Sequence, residues 1–349
     1  MGTARILVLR FSAMGDVAMV VQVVRSLTSA YPETTVAIVT RPKFAALFHG
    51  IPGVEVICAD VDRNYRGLPG LWKLFRKLIA MHPDRVIDLH DHLRTRILRI
   101  FFKIAGIPVT VFDKGRTEKR LATGNQREHH RDQLAHTTER YRLAFQNAGY
   151  DFNLLSGPHV QPRDLDTITT KLDLTAAFQE GIIRVGIAPF SAHATKTWPL
   201  ENFIRLMELF RHRQEVRFFL FGGGAKEKQL LDQLEESGRI ANLAGRLNLT
   251  EELTFMSSLH TMVCVDSSNM HLAGLAGIPV VSIWGGTDPV TGFGPAPHPQ
   301  TKVLSVPVQE LPCRPCSVYG KGNCPRGDFA CLKGITPEQV AESVSAVIG

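Results

Sequence analysis

Residues 262–288 constrain the fold more than any other stretch of the chain. An apolar run, 262–265, stops at Asp266, and a helical stretch of small residues carrying His271 leads to a second apolar run, 279–284. This order predicts a strand, a loop, a helix and a second strand, and a crossover helix between strands favours a parallel sheet. In such a unit the ligand-facing residues lie just past the carboxyl ends of the strands, here at 266–268 and 285–288.

The start of the predicted helix in this stretch has the chemistry of an anion site. Ser267 or Ser268 stands where the helix begins, and serine is a favoured N-cap residue. The first backbone N–H groups of a helix have no partner within it, and they suit a phosphate. We therefore expect a nucleotide diphosphate to bind here.

The same strand–helix alternation runs through both halves of the chain. Residues 5–10 predict a buried strand, 16–30 a helix and 36–39 a second strand, and the pattern resumes at 182–188 after a polar connector containing Pro158 and Pro162. The loop FSAMGD has one glycine where the dinucleotide-binding fingerprint has three. We predict an α/β chain with two Rossmann-like parallel-sheet domains that face an interdomain cleft. The predicted ranges are 1–165, 166–335 and a C-terminal helix, 336–349, that packs back across the domains.

Composition narrows the class of protein without identifying it. The chain has 349 residues, of which 44% are hydrophobic and 21% charged, and this length favours two domains. The N-terminal apolar stretch ends at Arg10 and has no secretory pattern, and no apolar run is long enough to span a bilayer, so we expect a cytoplasmic protein. The net charge of +7 indicates an anionic partner or an anionic membrane surface.

Asp16 has two interpretations. It follows the first predicted strand at the start of the next helix, so it is placed either to cap that helix or to offset its dipole from the first turn. A carboxylate at the carboxyl end of a strand is also well placed to take a proton from an acceptor hydroxyl. The two roles are compatible.

A basic segment, 91–131, also has two interpretations. It contains ten Lys and Arg residues against four Asp and Glu residues, a pattern typical of solvated helix faces. Alternatively it forms a wall that binds phosphate or carboxylate groups of an acceptor. Few aromatic residues alternate with the charges, so nucleic acid is disfavoured. The basic face also predicts loose contact with the inner leaflet of the membrane. The candidate acceptor-binding residues are Arg94, Arg96, Lys114, Arg116 and Arg120.

The loops of the second half supply candidate donor-binding residues. Lys196 follows the predicted strand 182–188, where a lysine is either solvated or placed to neutralise a diphosphate as charge develops on it. The glycines at 222–224 either let the backbone approach a ligand or only form a turn. Ser191, Thr195, Lys196, Gly223, Gly224, Asp266, Ser267 and Ser268 form the predicted donor set. His271 falls in the first turn of the helix if Ser268 is the cap, where a lone histidine is more often packed and hydrogen-bonded than catalytic.

Four of the six cysteines form a separate cluster. Cys313, Cys316, Cys324 and Cys331 lie in a segment rich in proline and glycine. Four thiols at this spacing predict either a tetrahedral structural zinc site or reduced, packed cysteines. We expect reduced thiols and no cofactor, with zinc as the alternative.

The ordered motifs resemble one family. ILVLRFSAMGDV, HATKTWP, the glycine loop after Phe221 and VDSSNMHLAGLAGIPVVSIWGGTDP resemble the ADP-heptose:lipopolysaccharide heptosyltransferases, glycosyltransferase family 9, over residues 5 to about 340. The resemblance implies a GT-B fold, with an N-terminal acceptor domain and a C-terminal nucleotide-sugar domain. It also implies inverting, metal-independent transfer from ADP-L-glycero-D-manno-heptose to a lipid-linked anionic glycan, the inner core of lipopolysaccharide.

The resemblance also implies roles for single residues. Asp16 matches the general base of the family, Lys196 the lysine that contacts the donor phosphates, and Asp266 and His271 the D-[ST]-G-x-x-H motif at the donor. Ser268 stands where the family commonly has glycine. This departure keeps open a transferase of the same family that uses another nucleotide sugar or glycan acceptor. A further alternative is a non-catalytic sugar-nucleotide-binding protein, in which Asp16 only caps a helix.

Overall fold

The computed structural model describes residues 4–124, 133–160 and 164–349. The strands are β1 (Arg5–Leu9), β2 (Thr35–Thr40), β3 (Val54–Cys58), β4 (Arg85–Asp88), β5 (Val109–Val111), β6 (Ile183–Ala188), β7 (Val216–Leu220), β8 (Ile240–Asn242), β9 (Thr261–Val265), β10 (Val280–Trp284) and β11 (Lys302–Ser305). The α-helices are α1 (Met14–Ala30), α2 (Gly67–Ile79), α3 (Leu93–Ile104), α4 (Arg116–Leu121), α5 (Thr137–Gln146), α6 (Leu165–Lys171), α7 (Leu200–Leu209), α8 (Ala225–Asp232), α9 (Leu249–Met256), α10 (Ser268–Ala276), α11 (Ala330–Lys333) and α12 (Pro337–Ile348).

The chain divides into two compact units, each built on one sheet. The first contains residues 1–114 and 135–156, and the second contains 115–134 and 157–349. The predicted single boundary near residue 165 differs from this division, because backbone hydrogen bonds hold parts of 115–134 to residues far along the chain. The Gly124 N–H donates to the Pro315 carbonyl, and the Leu134 N–H donates to the Val290 carbonyl, each at 3.0 Å.

The sheet of the first unit is parallel, with the strand order β3-β2-β1-β4-β5. Its central strand β1 is a run of apolar residues that are almost all buried, as expected for a strand covered on both faces. Leu9 at the end of β1 is in register with Asp88 at the end of β4. The loops that follow these two strands therefore begin side by side.

The sheet of the second unit has six parallel strands in the order β11-β10-β9-β6-β7-β8. Counted within the unit, this is the strand order of doubly wound dinucleotide-binding folds. Ala188 at the end of β6 is in register with Cys264 near the end of β9. The two parallel-sheet units confirm the predicted α/β class.

The C-terminal helix α12 belongs to the second unit. Thr336 caps it by accepting the Gln339 N–H at 3.3 Å, and Pro337 occupies its first position, as the sequence predicts. Val340 and Val344 are buried in the core of this unit, and α12 packs on α7, β9 and β10. The helix is thus part of this core, where the sequence analysis predicted a separate segment packing across the domains.

Among the described residues, no helix has the length and apolar character needed to cross a membrane.

Candidate functional site

Each sheet has one point where the direction of strand addition reverses, and the predicted site residues gather there. In the first unit this point lies between β1 and β4, and in the second it lies between β6 and β9. Ligands of open α/β sheets bind beyond the carboxyl ends of the strands at such switch points. The loops after β1, β4, β6 and β9 are therefore expected to carry the functional residues.

Asp16 lies in the first turn of α1, just after β1. Its carboxylate accepts the Ala13 N–H at 3.2 Å and lies 2.5 Å from a guanidinium nitrogen of Arg10. Arg10 is 5% exposed and also donates to the Leu89 carbonyl. Because a buried charge requires a partner, Asp16 is the counterion of Arg10. The first-turn position predicted for Asp16 is present, whereas Ala13, not Asp16, is the N-cap residue.

His90 completes this group, and the sequence analysis did not assign it. Its Nε2 lies 3.4 Å from the Ser12 Oγ, and its ring meets Phe11 edge-on and stacks on His92. Burial, assisted by the nearby charge of Arg10, lowers the pKa of His90 to about 3. The ring is therefore neutral near pH 7. A sequence signal did exist, since His90 directly follows RVIDL (85–89), a short run typical of a buried strand.

In the second unit, Asp266 organises the switch point. Its Oδ2 lies 2.9 Å from the Lys196 Nζ and accepts a hydrogen bond from the Thr287 hydroxyl at 2.7 Å. The Ser191 hydroxyl donates to the Asp266 carbonyl oxygen at 3.2 Å. The structure thus brings together three predicted donor residues, and it adds Thr287, which sequence reasoning missed.

Helix α10 begins directly after Asp266. Ser267 is its N-cap residue, as predicted, but its hydroxyl makes no capping bond and is a buried oxygen without a hydrogen-bond partner among the described residues. Ser268 and His271 occupy the first turn. The helix start therefore places backbone N–H groups and a buried hydroxyl next to the Lys196–Asp266 pair, as an anion site requires.

The glycine loop after β7 forms the turn into α8. Gly224 is the N-cap residue and has a φ of +83°, which a residue with a side chain rarely adopts. The Gly223 N–H donates to a Glu227 carboxylate oxygen at 2.6 Å. The sequence analysis predicted that these glycines either approach a ligand or form a turn. In the structure they form the turn, and the Gly223 N–H is bonded within it.

The cysteine segment, residues 313–331, is attached to the loop that follows β10. Arg314, fully buried between Cys313 and Pro315, donates to the carbonyls of Gly285 at 2.6 Å and Thr287 at 3.1 Å. The Cys316 N–H donates to the Gly286 carbonyl at 2.9 Å. The guanidinium and the main chain therefore hold the loop that follows β10.

Gly320, within the same segment, contacts Thr195 and Lys196. The Thr195 hydroxyl donates to the Gly320 carbonyl at 2.6 Å, and Gly320 has a φ of +73°. Any side chain at 320 would overlap the Lys196 side chain. Thr195 is thus used to hold the segment against the lysine that follows it.

The thiols of the cysteine cluster are free in the structure. Burial, and then the nearby Cys313 thiol, raise the pKa of Cys316 to about 11, so this thiol is protonated near pH 7. In the part of the chain that the structure describes, no three His, Cys, Asp or Glu side chains are grouped so as to hold a metal ion.

The basic residues predicted as one acceptor wall fall into two places. In the first unit, Arg94 lies 3.0 Å from Asp62, Arg96 lies 3.0 Å from Asp91, and the Lys114 Nζ donates to the Asp91 carbonyl at 2.9 Å. Residues 116 and 120 belong to the second unit, and residues 125–131 of the predicted wall lie outside the described residues. Three of the predicted acceptor-binding residues are thus bound to carboxylates or carbonyls of the first unit, and two belong to the second unit.

A basic pocket of about 360 Å³ lies in the second unit between α4 and the cysteine segment. Lys119 is 4% exposed, and its Nζ lies 4.0 Å from the centre of the Phe293 ring. Four cations at one cavity favour an anionic ligand. The lining residues are Arg116, Lys119, Arg120, Thr123, Cys316, Ser317, Val318, Tyr319 and Lys321.

Comparisons with known proteins agree on one family. The sequence profile of glycosyltransferase family 9 (heptosyltransferase) matches residues 71–321. The lipopolysaccharide core heptosyltransferase OpsX of Haemophilus influenzae is 23% identical to this chain over 297 residues. The match covers 81% of this chain and 79% of OpsX.

Two solved structures share the architecture. The glycosyl transferase family 9 protein from Veillonella parvula superposes with a TM-score of 0.78 at 19% identity, covering 100% of this chain and 98% of that one. The E. coli heptosyltransferase WaaC, solved with ADP-2-deoxy-2-fluoro heptose, superposes with a TM-score of 0.63 at 20% identity, covering 98% and 99%. These likenesses confirm the predicted GT-B-like fold class. With the profile matching well over half of its length, the chain belongs to glycosyltransferase family 9, the heptosyltransferases.

Proposed function

We propose that this chain transfers heptose, with inversion, from ADP-L-glycero-D-manno-heptose to an inner-core acceptor of lipopolysaccharide. The observation that carries the proposal is the Lys196–Asp266 pair beside the start of α10, at the switch point of the second sheet. This group combines a cation with helix N–H groups, and both stabilise a diphosphate. That a relative was solved with an ADP-heptose analogue supports ADP-heptose as the donor.

In the proposed reaction, Asp16 accepts the proton of the acceptor hydroxyl as its oxygen attacks the anomeric carbon. The bond from that carbon to the diphosphate breaks, and ADP leaves with the electron pair. Arg10 lies 2.5 Å from Asp16 and favours the ionised carboxylate that a base requires. The first unit would then hold the acceptor.

Lys196 and the start of α10 stabilise the departing diphosphate in this scheme. Asp266 and Thr287 fix the direction of the lysine side chain through the 2.9 Å ion pair and the 2.7 Å hydrogen bond. Ser267 supplies a buried hydroxyl that a phosphate oxygen could engage. No metal ion takes part, because these groups provide the positive charge.

We also propose that the basic pocket between α4 and the cysteine segment receives an anionic group of the acceptor. Arg116, Arg120 and Lys321 bring cations to this cavity of about 360 Å³. Arginine binds phosphate and carboxylate groups through two parallel hydrogen bonds, as such a glycan requires. This places part of acceptor binding in the second unit.

The test is a transfer assay with ADP-heptose and lipopolysaccharide stripped of its inner-core heptoses. We expect Asp16→Ala to lower kcat by about 10²- to 10⁴-fold, because a general base is lost. Calorimetric affinity for ADP should remain close to that of the parent, since Asp16 does not bind the donor. Unchanged turnover would mean that Asp16 serves only as the counterion of Arg10 and as a first-turn residue of α1. Binding of ADP-heptose by the parent without turnover would favour the non-catalytic alternative.

A second candidate function is transfer from another nucleotide sugar, and Ser268 is the observation that favours it. This residue begins α10 beside Asp266, where the family resemblance implies glycine, so a side chain stands next to the proposed phosphate site. Titration of ADP-heptose, ADP-mannose and UDP-sugars by calorimetry separates the two candidates. Tighter binding of a sugar nucleotide other than ADP-heptose would replace the proposed donor.

A further inference from the structure

An apolar surface on the first unit has no role in the proposed reaction. Five of the ten large apolar side chains that the described residues expose lie on α2 and α3, so the exposure is concentrated on this helix pair. Its most exposed members are Ile104 at 81% and Leu93 at 67%. The α2–α3 face is defined here as Leu68, Trp72, Leu93, Ile100, Phe101 and Ile104.

The members of the α2–α3 face adjoin one another. Leu68 and Trp72 are one helical turn apart on α2, and Leu93, Ile100 and Ile104 recur at helical spacing on α3. The rings of Trp72 and Phe101 meet edge-on with their centres 5.2 Å apart, which joins the two helices at the surface. The result is one continuous patch, and contiguous exposed apolar patches mark interaction sites.

The charged residues on the two helices are all positive, and carboxylates outside the helices pair with Arg94, Arg96 and Arg99. Helix α2 contains Lys73, Arg76 and Lys77, α3 contains four further cations, and neither helix contains an acidic residue. Lys73, Arg76, Lys77 and Lys103 are exposed, and within the described part of the chain none lies within 4 Å of a carboxylate oxygen. These four cations are therefore available to an external anion.

We propose that the α2–α3 face docks on an anionic lipid bilayer, with Trp72, Ile100 and Ile104 inserted among the headgroups. Exposed apolar anchors flanked by lysine and arginine are the chemistry of interfacial helices. Tryptophan suits the boundary between headgroups and acyl chains, and each cation near an anionic leaflet adds attraction. The bilayer is chosen over a protein partner because Lys73, Arg76, Lys77 and Lys103 are all positive and the two helices contain no acidic residue.

The position of the tryptophans provides a direct readout. Trp72 is 48% exposed, whereas the other two, Trp198 and Trp284, are fully buried. Insertion of the α2–α3 face would move the Trp72 ring out of water, so its emission should shift to shorter wavelength. Trp72→Phe should abolish the shift while retaining most of the binding.

The experiment is flotation of the full chain with vesicles, without donor or acceptor. We expect binding to vesicles of phosphatidylcholine and phosphatidylglycerol, weakening in high salt, and little binding to phosphatidylcholine alone. Lys73→Gln with Lys77→Gln and Lys103→Gln should lower the partition coefficient about 10²-fold. Ile100→Ser with Ile104→Ser should lower it about tenfold.

Leu230→Ser with Val303→Ser is the matched control, because it removes two exposed apolar side chains of the second unit. It should bind vesicles as the parent does. Three results would each overturn the proposal. The Ile100/Ile104 variant binds vesicles as well as the parent does, the parent does not bind anionic vesicles, or the parent is a dimer and the Ile100/Ile104 variant is a monomer. Since no substrate is present, this outcome is independent of the proposed transfer.

Discussion

At the scale of single residues, burial determines which side chains at the strand ends carry charge. Arg10 is nearly inaccessible and charged, so it holds Asp16 as its counterion at 2.5 Å. His90, two positions after the end of β4, is buried beside the same arginine, and burial lowers its pKa to about 3. One carboxylate and one neutral imidazole therefore follow the two central strands of the first sheet.

The depressed pKa of His90 predicts a pH dependence of stability. Above pH 6.5, the ordinary value, neither the folded nor the unfolded ring binds a proton, and the contribution of His90 is fully present. As the pH falls from 6.5 towards 3, the His90 ring binds a proton in the unfolded state but not in the folded state. The free energy of unfolding therefore falls. His90→Asn should make this fall shallower, by at most about 1.4 kcal/mol per pH unit. Denaturant unfolding at several pH values measures it.

His49→Asn is the control for this experiment, because His49 is exposed. Its unfolding free energy should follow the pH dependence of the parent. Parallel curves for the parent and His90→Asn would show that the folded ring titrates normally.

The sequence revealed part of this chemistry. Asp16 could be found because it follows an apolar run and a lone glycine, which marks the end of a strand. The role of Arg10 could not be found, since it depends on a burial and a contact with the Leu89 carbonyl that no local pattern encodes. The same holds for Thr287, which reaches Asp266 across 21 positions of the chain.

At the scale of elements, the cysteine segment, which contains no strand, holds the loop that follows β10. The cysteine segment was predicted as a zinc site or as packed thiols, yet its main structural contribution comes from Arg314 and its own backbone. Arg314 donates to the carbonyls of Gly285 and Thr287 from a fully buried position. Spacing drew attention to the cysteines, whereas the buried arginine between them has no sequence signature.

Arg314→Lys should destabilise the second unit. Lysine retains the charge but lacks the planar fork, so several buried carbonyls lose their donor. We expect the free energy of unfolding to fall by about 3 kcal/mol, as when a buried charge network is broken, and ADP to bind more weakly. Denaturant unfolding and calorimetry measure the two effects.

Arg326→Lys in the same segment is the matched control. Its guanidinium is half exposed and pairs with Asp328 at 2.9 Å on the surface. Little change in the free energy of unfolding is expected, because water solvates both members of this surface pair. Equal effects of the two substitutions would mean that Arg314 does not hold the loop.

At the scale of the whole molecule, the chain builds two sheets and crosses between their units three times. Strand–helix alternation was sufficient to predict both sheets. It could not predict that residues 115–134 join the second unit, because membership rests on contacts such as Leu134 with Val290, far apart in sequence. Composition locates a polar connector, but it does not say on which unit a neighbouring helix packs.

The proposed chemistry predicts that the whole enzyme works without a metal ion. Lys196 and the start of α10 supply the positive charge for the diphosphate, so dialysis against a chelator should leave kcat unchanged. Elemental analysis before dialysis should find less than stoichiometric zinc, in keeping with the raised pKa of the Cys316 thiol. Loss of turnover that a divalent ion restores would contradict metal-free transfer, and one zinc per chain would assign the cysteines as its ligands.

The way in which the cysteine segment is fastened has a consequence for engineering. The attachment uses the Arg314 side chain, the main chain at 316 and 320 and the Thr195 hydroxyl. Val318 and Lys321 line the basic pocket, and the attachment bonds come from other groups. A combinatorial library at these two positions would therefore vary the chemistry of the pocket while the attachment bonds are kept. Under the proposed function, such a library would select new acceptors with the proposed nucleotide-binding residues unchanged.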